Sequence, residues 1–269
     1  MPSPHFLAAV SAERAPRRSP WLTLLAACVA PARCVRCGRT RAALGPRVFC
    51  ADCTPGDEPQ LGELSGLSIA AGGAFEGSLR DAILRLKYQA APELAGELGS
   101  WLATRLVDLK RHSDSKTNHL GDAKEVKRET RAMESAAPVS ITADAPAARG
   151  SQPAPLLVPV PLHPRRLVER GYNQAALLAA ALRRPLGLRT KMTGLTRERR
   201  TAVQAGLGAE ARSANMRGAF RARPALRGAR VILVDDVATT GSTLAACCEA
   251  LHAVGAEPLG ALVLAQAGS

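Results

Sequence analysis

The chain has 269 residues, of which 46% are apolar, enough to bury a core and too many for a disordered polymer. Thirty-six Lys and Arg against 23 Asp and Glu leave a net charge of +13, which points to anionic partners such as nucleic acid, an acidic membrane surface or a diphosphate. Aromatic residues are only 3% of the chain, which counts against a long groove of stacking rings.

Residues 1–20 are expected to be a disordered leader. Arg17-Arg18 and the run Trp21 to Cys28 imitate an export signal with a lipidation-type cysteine, but the run is too short to span a bilayer. Export would also carry a thiol-rich segment into an oxidising compartment. Trp21 to Ala30 is therefore expected to be a short helix of a cytoplasmic protein without stable membrane insertion. Cys34-x2-Cys37 and Cys50-x2-Cys53 then follow at metal-knuckle spacing. Four thiolates around one ion imply a structural Zn²⁺ ribbon over residues 21–60, an iron–sulfur cluster or two disulfides being the alternatives. Arg33, Arg36, Arg39 and Arg41 offset the charge left on the sulfurs.

Residues 54–68 read as a spacer, and residues 61–109 are expected to be a helical segment leading into the domain that follows. Leu79, Ile83 and Leu86 recur at helical spacing, and Leu94, Leu98, Trp101, Leu102, Leu106 and Leu109 form a second apolar stripe. From 110 to 155 that pattern vanishes into polar and Ala/Pro-rich sequence, read as a flexible insertion. Order resumes with a strand at 156–161, a helix at 173–182 and a strand at 188–192. Between them, His163-Pro-Arg165-Arg166 through Arg170-Gly171 to Gln174 reads as a basic loop whose guanidinium forks suit phosphate. A second basic stretch, from Thr196 and Arg197 through Arg199, Arg200, Gln204, Arg212, Asn215 and Arg217 to Phe220, reads as a mobile lid.

Residues 231–244 carry the sharpest signal. Val231 to Val234 lack polar alternation, as in a strand covered on both faces of a parallel sheet. Asp235 and Asp236 fall at its carboxyl end, where open α/β sheets bind ligands. The small residues Ala238, Thr239, Thr240, Gly241, Ser242 and Thr243 offer N–H groups and hydroxyls to a phosphate at the start of the next helix, 242–254. A final strand at 259–264 completes an alternating pattern, so residues 156–269 are expected to form an α/β domain with a parallel sheet flanked by helices. The Walker and dinucleotide patterns are both absent.

This string resembles the phosphoribosyl pyrophosphate (PRPP) motif of the phosphoribosyltransferases. The resemblance implies that Asp235 and Asp236 grip the ribose hydroxyls, that the loop from Ala238 to Thr243 holds the 5-phosphate, and that Mg²⁺ accompanies the diphosphate. Together with the four-cysteine module, Phe75-Glu-Gly77, Lys87-Tyr88, the segment from Pro159 to Gln174, Gln204 to Leu207 and Arg217 to Phe220, it is similar to the ComF family over roughly residues 21–109 and 156–266. That likeness implies a phosphoribosyltransferase-like fold with an N-terminal zinc ribbon, and a link to natural competence, single-stranded DNA and DNA-uptake proteins. Two readings remain open. One is a phosphoribosyltransferase in which Arg165, Arg166, Arg170 or an arginine of the 197–217 stretch stabilises the departing diphosphate. The other is a non-catalytic protein that binds DNA or a partner through a basic face.

Overall fold

The computed structural model describes residues 6, 33–39, 48–118, 153–198 and 216–268, with side chains in the second helix described as far as residue 109. Its first ordered strands fall where the sequence offers a spacer. β1 (Gln60–Leu64) and β2 (Leu67–Ala74) form a hairpin closed by Ser65 and Gly66, both at positive φ (52° and 77°), as a two-residue primed turn requires. Five of the eight residues of β2 are Ala or Gly, so it carries little strand signal of its own. Tertiary covering decides it: a Cβ at Gly72 would lie 2.4 Å from the Trp101 ring.

The remaining elements follow as α1 (Gly77–Tyr88), α2 (Leu94–Asn118), β3 (Leu156–Pro159), α3 (Pro164–Arg170), α4 (Gln174–Leu182), β4 (Arg189–Thr190), β5 (Leu195–Arg197), β6 (Phe220–Ala222), β7 (Arg230–Ala238), α5 (Ser242–Ala253) and β8 (Glu257–Gln266). Six strands form one sheet in the order β1-β2-β8-β7-β3-β4, parallel at every step except the β1–β2 hairpin. β5 and β6 pair separately and antiparallel.

Both faces of the sheet are covered, which is why Val231 to Val234 show no alternation. Ile232, Val234, Leu262 and Leu264 pack with α1, α2, α4 and the cysteine segment, where Phe49 meets Trp101 edge-on at 5.8 Å. Val231, Leu233, Ala261 and Val263 pack with α5, the β5–β6 pair and Leu226. The architecture is an α/β sheet of mostly parallel strands between helical layers, as the sequence predicts.

Four boundaries differ from expectation. The region 61–109 is not a helical lead-in, because β2 pairs with β8 inside the main sheet. α2 continues to Asn118, past the expected start of the insertion, since Lys and Arg extend a helix without an apolar stripe. β7 runs to Ala238 because β8 stays hydrogen-bonded beside it as far as Gln266. In the expected leader, Phe6 is fully buried against Gly260. The Trp21–Ala30 helix and residues 119–152 of the insertion lie outside the described residues.

α2 and α4 touch through Gly99, where a Cβ would come within 2.5 Å of the Ala181 Cβ. Gly99→Val is expected to cost about 1–3 kcal/mol through overpacking. Gly96→Ala, on the same helix with open space around it, should be neutral or stabilise by up to about 1 kcal/mol. Urea unfolding of the two variants checks the contrast.

Candidate functional site

Asp235 and Asp236 lie in the last turn of side-chain alternation before β7 ends, so their carboxylates leave the strand toward opposite layers. The buried Asp236 meets Lys87 Nζ at 2.9 Å, and both side chains are largely withdrawn from water. α1 makes this possible. It starts beside β8, where Phe75 N donates to Gln266 O at 2.8 Å, and its last turn reaches β7. Asp235 keeps part of its surface open but is enclosed by protein. Desolvation, reinforced by the charge of Asp236, pushes its pKa up to about 7 against the pull of the Asp236 N–H, Lys87 and Arg197.

The bend that follows is shorter than expected. Ala238 is the last paired residue of β7, and Thr239, Thr240 and Gly241 alone link it to α5. Gly241 has φ 75°, and a Cβ there would stand 3.0 Å from Leu64 Cβ and Ser65 Oγ, so no other residue suits it. Ser65 Oγ donates to Thr240 O at 3.3 Å, and the Thr240 and Ser242 hydroxyls are 3.1 Å apart. Thr239 is exposed, while Thr240, Ser242 and Thr243 are half-buried at the positive end of the α5 dipole. The sequence foresaw the bend but not the hairpin turn that braces it.

The first basic stretch is a helix and not a loop. His163 Nδ1 accepts from Arg165 N at 3.2 Å, Pro164 opens the first turn, and Gly171 at φ 80° ends the helix. Its arginines part company. Arg165 is exposed, Arg166 lies within electrostatic range of Arg197, and Arg170 places its guanidinium 5.1 Å from the Tyr88 ring centroid. Arg197, which burial and the neighbouring Arg166 hold below the usual guanidinium pKa, sits over Phe220 at 5.4 Å and within range of Asp235. Arg197 thus links Arg166 to the acid pair, while Arg165 is exposed. Of the second basic stretch, Arg199, Arg200, Gln204, Arg212 and Asn215 lie outside the described residues.

Cys34, Cys37, Cys50 and Cys53 place their sulfurs within 4.8 Å of one another. The Cys37–Cys50 separation of 3.8 Å matches the edge of a tetrahedron with metal–sulfur bonds of about 2.3 Å. Burial pushes Cys34 up, but N–H donors from Cys37, Cys50 and Arg36 outweigh it and draw the thiol down to about 6. Burial and the other sulfurs push Cys53 up to about 12. Sulfurs this close can all be thiolates only around a cation, and the set could hold a metal ion such as Zn²⁺. The knuckle is fastened to α1: Arg85 Nη1 donates to Val35 O and Arg36 O at 2.6 and 2.9 Å, and Arg36 pairs with Asp81 at 2.9 Å. One helix therefore joins the cysteine cluster to the acid pair.

Lys87 was the functional residue hardest to foresee. Its only signal was its place beside Tyr88 in a family-like string, and nothing local says that it pairs with Asp236, far away in sequence. Cys247, by contrast, is buried in α5 with its thiol pKa pushed well up by desolvation, as expected of a packing cysteine. Among the described residues no helix is long and apolar enough to cross a membrane.

Residues 169–269 match the family described as the phosphoribosyl transferase domain. The chain is 42% identical over 100 residues to the DNA utilization protein YhgH of Escherichia coli K12, covering 37% of this chain and 44% of that protein. A Salmonella typhi protein of the same name is 42% identical over 112 residues, 40% of this chain and 49% of its own. Competence protein F of Haemophilus influenzae is 40% identical over 114 residues, 41% and 50% respectively. The chain spans about half the length of these relatives.

Two outcomes follow from the geometry. An Asp pKa raised from 3.8 to about 7 makes the folded state bind the extra proton between those values, so this group's contribution to stability falls as pH rises through that window. The stability of Asp235→Asn relative to wild type should therefore grow from pH 5 to pH 8 in urea unfolding, and a flat difference would refute the shift. Lys87→Met strands a buried carboxylate and should cost about 3–5 kcal/mol, most of it recovered in the Lys87→Met/Asp236→Asn double variant.

Proposed function

The chain is a ComF-family protein with a phosphoribosyl transferase domain, and from that premise we propose that it binds PRPP or a related sugar phosphate at the carboxyl end of β7. The observation that carries the reading is the geometry of the strand end: Asp235, enclosed by protein yet partly accessible, beside the salt-bridged Asp236, shortly before a glycine bend and a helix N-terminus. A carboxylate that burial disfavours in its charged form gains most from ligand hydroxyls that donate to it. The ribose hydroxyls supply such donors, and the bend from Ala238 through Thr239, Thr240, Gly241 and Ser242 to Thr243 offers the 5-phosphate N–H groups and hydroxyls in the favourable field of the α5 dipole.

Transfer of the phosphoribosyl group would build positive charge on the sugar as the diphosphate departs. In this reading Asp235 and Asp236 would stabilise the sugar, while Arg166 and Arg197 would stabilise the departing negative charge. Arg165 and Arg170 contribute longer-range positive potential. Asp235 and Asp236 could share a Mg²⁺ ion with the diphosphate; that ion neutralises phosphate charge. The four cysteines fit Zn²⁺ as a closed structural site, with no position left for chemistry.

A second reading, a nucleic-acid-binding role in DNA uptake, is favoured by a groove of about 460 Å³ that Arg183 and Arg184 line with Thr190 and Met192. Single-stranded DNA would meet such cations through its phosphates. Names of the relatives, DNA utilization protein and competence protein, support the same setting.

Thermal unfolding with PRPP and Mg²⁺ tests the first reading. The melting temperature should rise, by the equivalent of about 2.7 kcal/mol at a hundredfold excess over Kd. Asp235→Asn/Asp236→Asn should abolish the rise while leaving salt-sensitive affinity for an oligodeoxythymidylate intact. No rise in the wild-type protein would reject the sugar-phosphate site.

A further inference from the structure

Contacts and charge interactions link the residues around the acid pair. Asp236 binds Lys87; Tyr88 follows Lys87 at the end of α1; the Arg170 guanidinium lies over Tyr88; Arg166, one helical turn before Arg170, is within electrostatic range of Arg197; and Arg197 is within electrostatic range of Asp235. Cations occupy most of this rim. Tyr88 is its one aromatic member.

Two other aromatics near the basic stretches, Tyr172 and Phe220, are engaged in the fold. Tyr172 is half-buried and donates its hydroxyl to Leu86 O at 2.6 Å, and Phe220 is buried beneath Arg197. Tyr88 is 67% exposed, and it is the only exposed aromatic side chain among the described residues. Beside it, α3 presents Leu167 at 42% and Val168 at 85% exposure, with no buried residue along the helix. Apolar surface of this kind, rimmed by arginines, marks a place where something docks.

The arginine behind the ring is held there. Gln174 Oε1 accepts from Arg170 Nη1 at 3.2 Å, while the Gln174 Nε2, 1% exposed as a residue, is buried with no hydrogen-bond partner among the described residues. Turning the amide over would set its N–H donors against those of the guanidinium. The glutamine thus leaves its own donor unmade to keep Arg170 on the tyrosine.

We propose that Tyr88, backed by Arg170, is a stacking shelf for a planar heteroaromatic base beside the acid pair. One face of the ring is covered by the guanidinium and the other is open. A purine or pyrimidine laid on the open face gains contact with the ring, and the neighbouring cations suit whatever phosphate the base carries. The base comes either from a free acceptor or from a single strand. The acceptor form rests on the sugar-phosphate reading above; the stacking itself does not.

The test uses 2-aminopurine, whose fluorescence falls when it stacks, supplied in one arm as the free riboside and in the other within a short oligodeoxythymidylate. The full-length protein should quench at least one probe. Tyr88→Ala should weaken that binding about 5- to 150-fold, Tyr88→Phe should retain it, and Arg170→Gln should fall between. Quenching of the riboside, lost in Tyr88→Ala, assigns the shelf to a free acceptor; quenching of the oligonucleotide alone, lost likewise, assigns it to a strand. Either supports the shelf. Equal quenching by wild type and Tyr88→Ala, or none by wild type with either probe, overturns it. Circular dichroism of each variant verifies the fold, which an exposed side chain should not disturb. The wild-type melting shift with PRPP and Mg²⁺, measured separately, reports on the sugar-phosphate reading by itself, so that either idea can fall alone.

Discussion

Two adjacent carboxylates at the end of a strand covered on both faces set the terms for everything around them. Neither can face bulk water freely, and both cannot be charged without a counter-charge nearby. Asp236 takes Lys87, and Asp235 remains a carboxyl that titrates near neutral pH. A fold tolerates this arrangement when the strand end has work to do, since a structural strand would end more cheaply in apolar or singly paired residues.

The cysteine segment gains its meaning from that constraint. Arg85 binds the backbone of the first knuckle, Arg36 reaches Asp81, and Phe49 packs on Trp101, so the module is fastened to α1 and α2 and is not an independent appendage. α1 carries Arg85 and Asp81 in its middle and Lys87 and Tyr88 at its end. The four-cysteine cluster is therefore tied to the acid pair at one remove, through the helix that supplies its counter-ion, Lys87.

Legibility in the sequence varied with the range of the interaction. The strand at 231–234, the acid pair, the bend and the helix after it were readable because their physics is local: an unbroken apolar run, an abrupt change to carboxylates, then small residues before a helical pattern. The cysteine spacing was readable for the same reason. β1 and β2 were not: most residues of β2 are small and its strand character comes from β8 on one side and Trp101 above, and β1 is a strand through its hairpin with β2. The helix Pro164–Arg170 was read as a loop because none of its residues is buried, leaving no apolar stripe to detect; its cap, its proline and its glycine were the only signals.

By itself the sequence determined the class of fold, the metal-knuckle pattern and the position of the acid pair at a strand's carboxyl end, since each depends on residues close together in the chain. Only the tertiary structure decided that Asp236 pairs with Lys87, that Arg197 lies within electrostatic range of both Asp235 and Arg166, and that Tyr88 and not Tyr172 is the ring left open. Those outcomes depend on how helices from different parts of the chain cross one sheet, and the direction in which a long side chain leaves its helix has no counterpart in local periodicity.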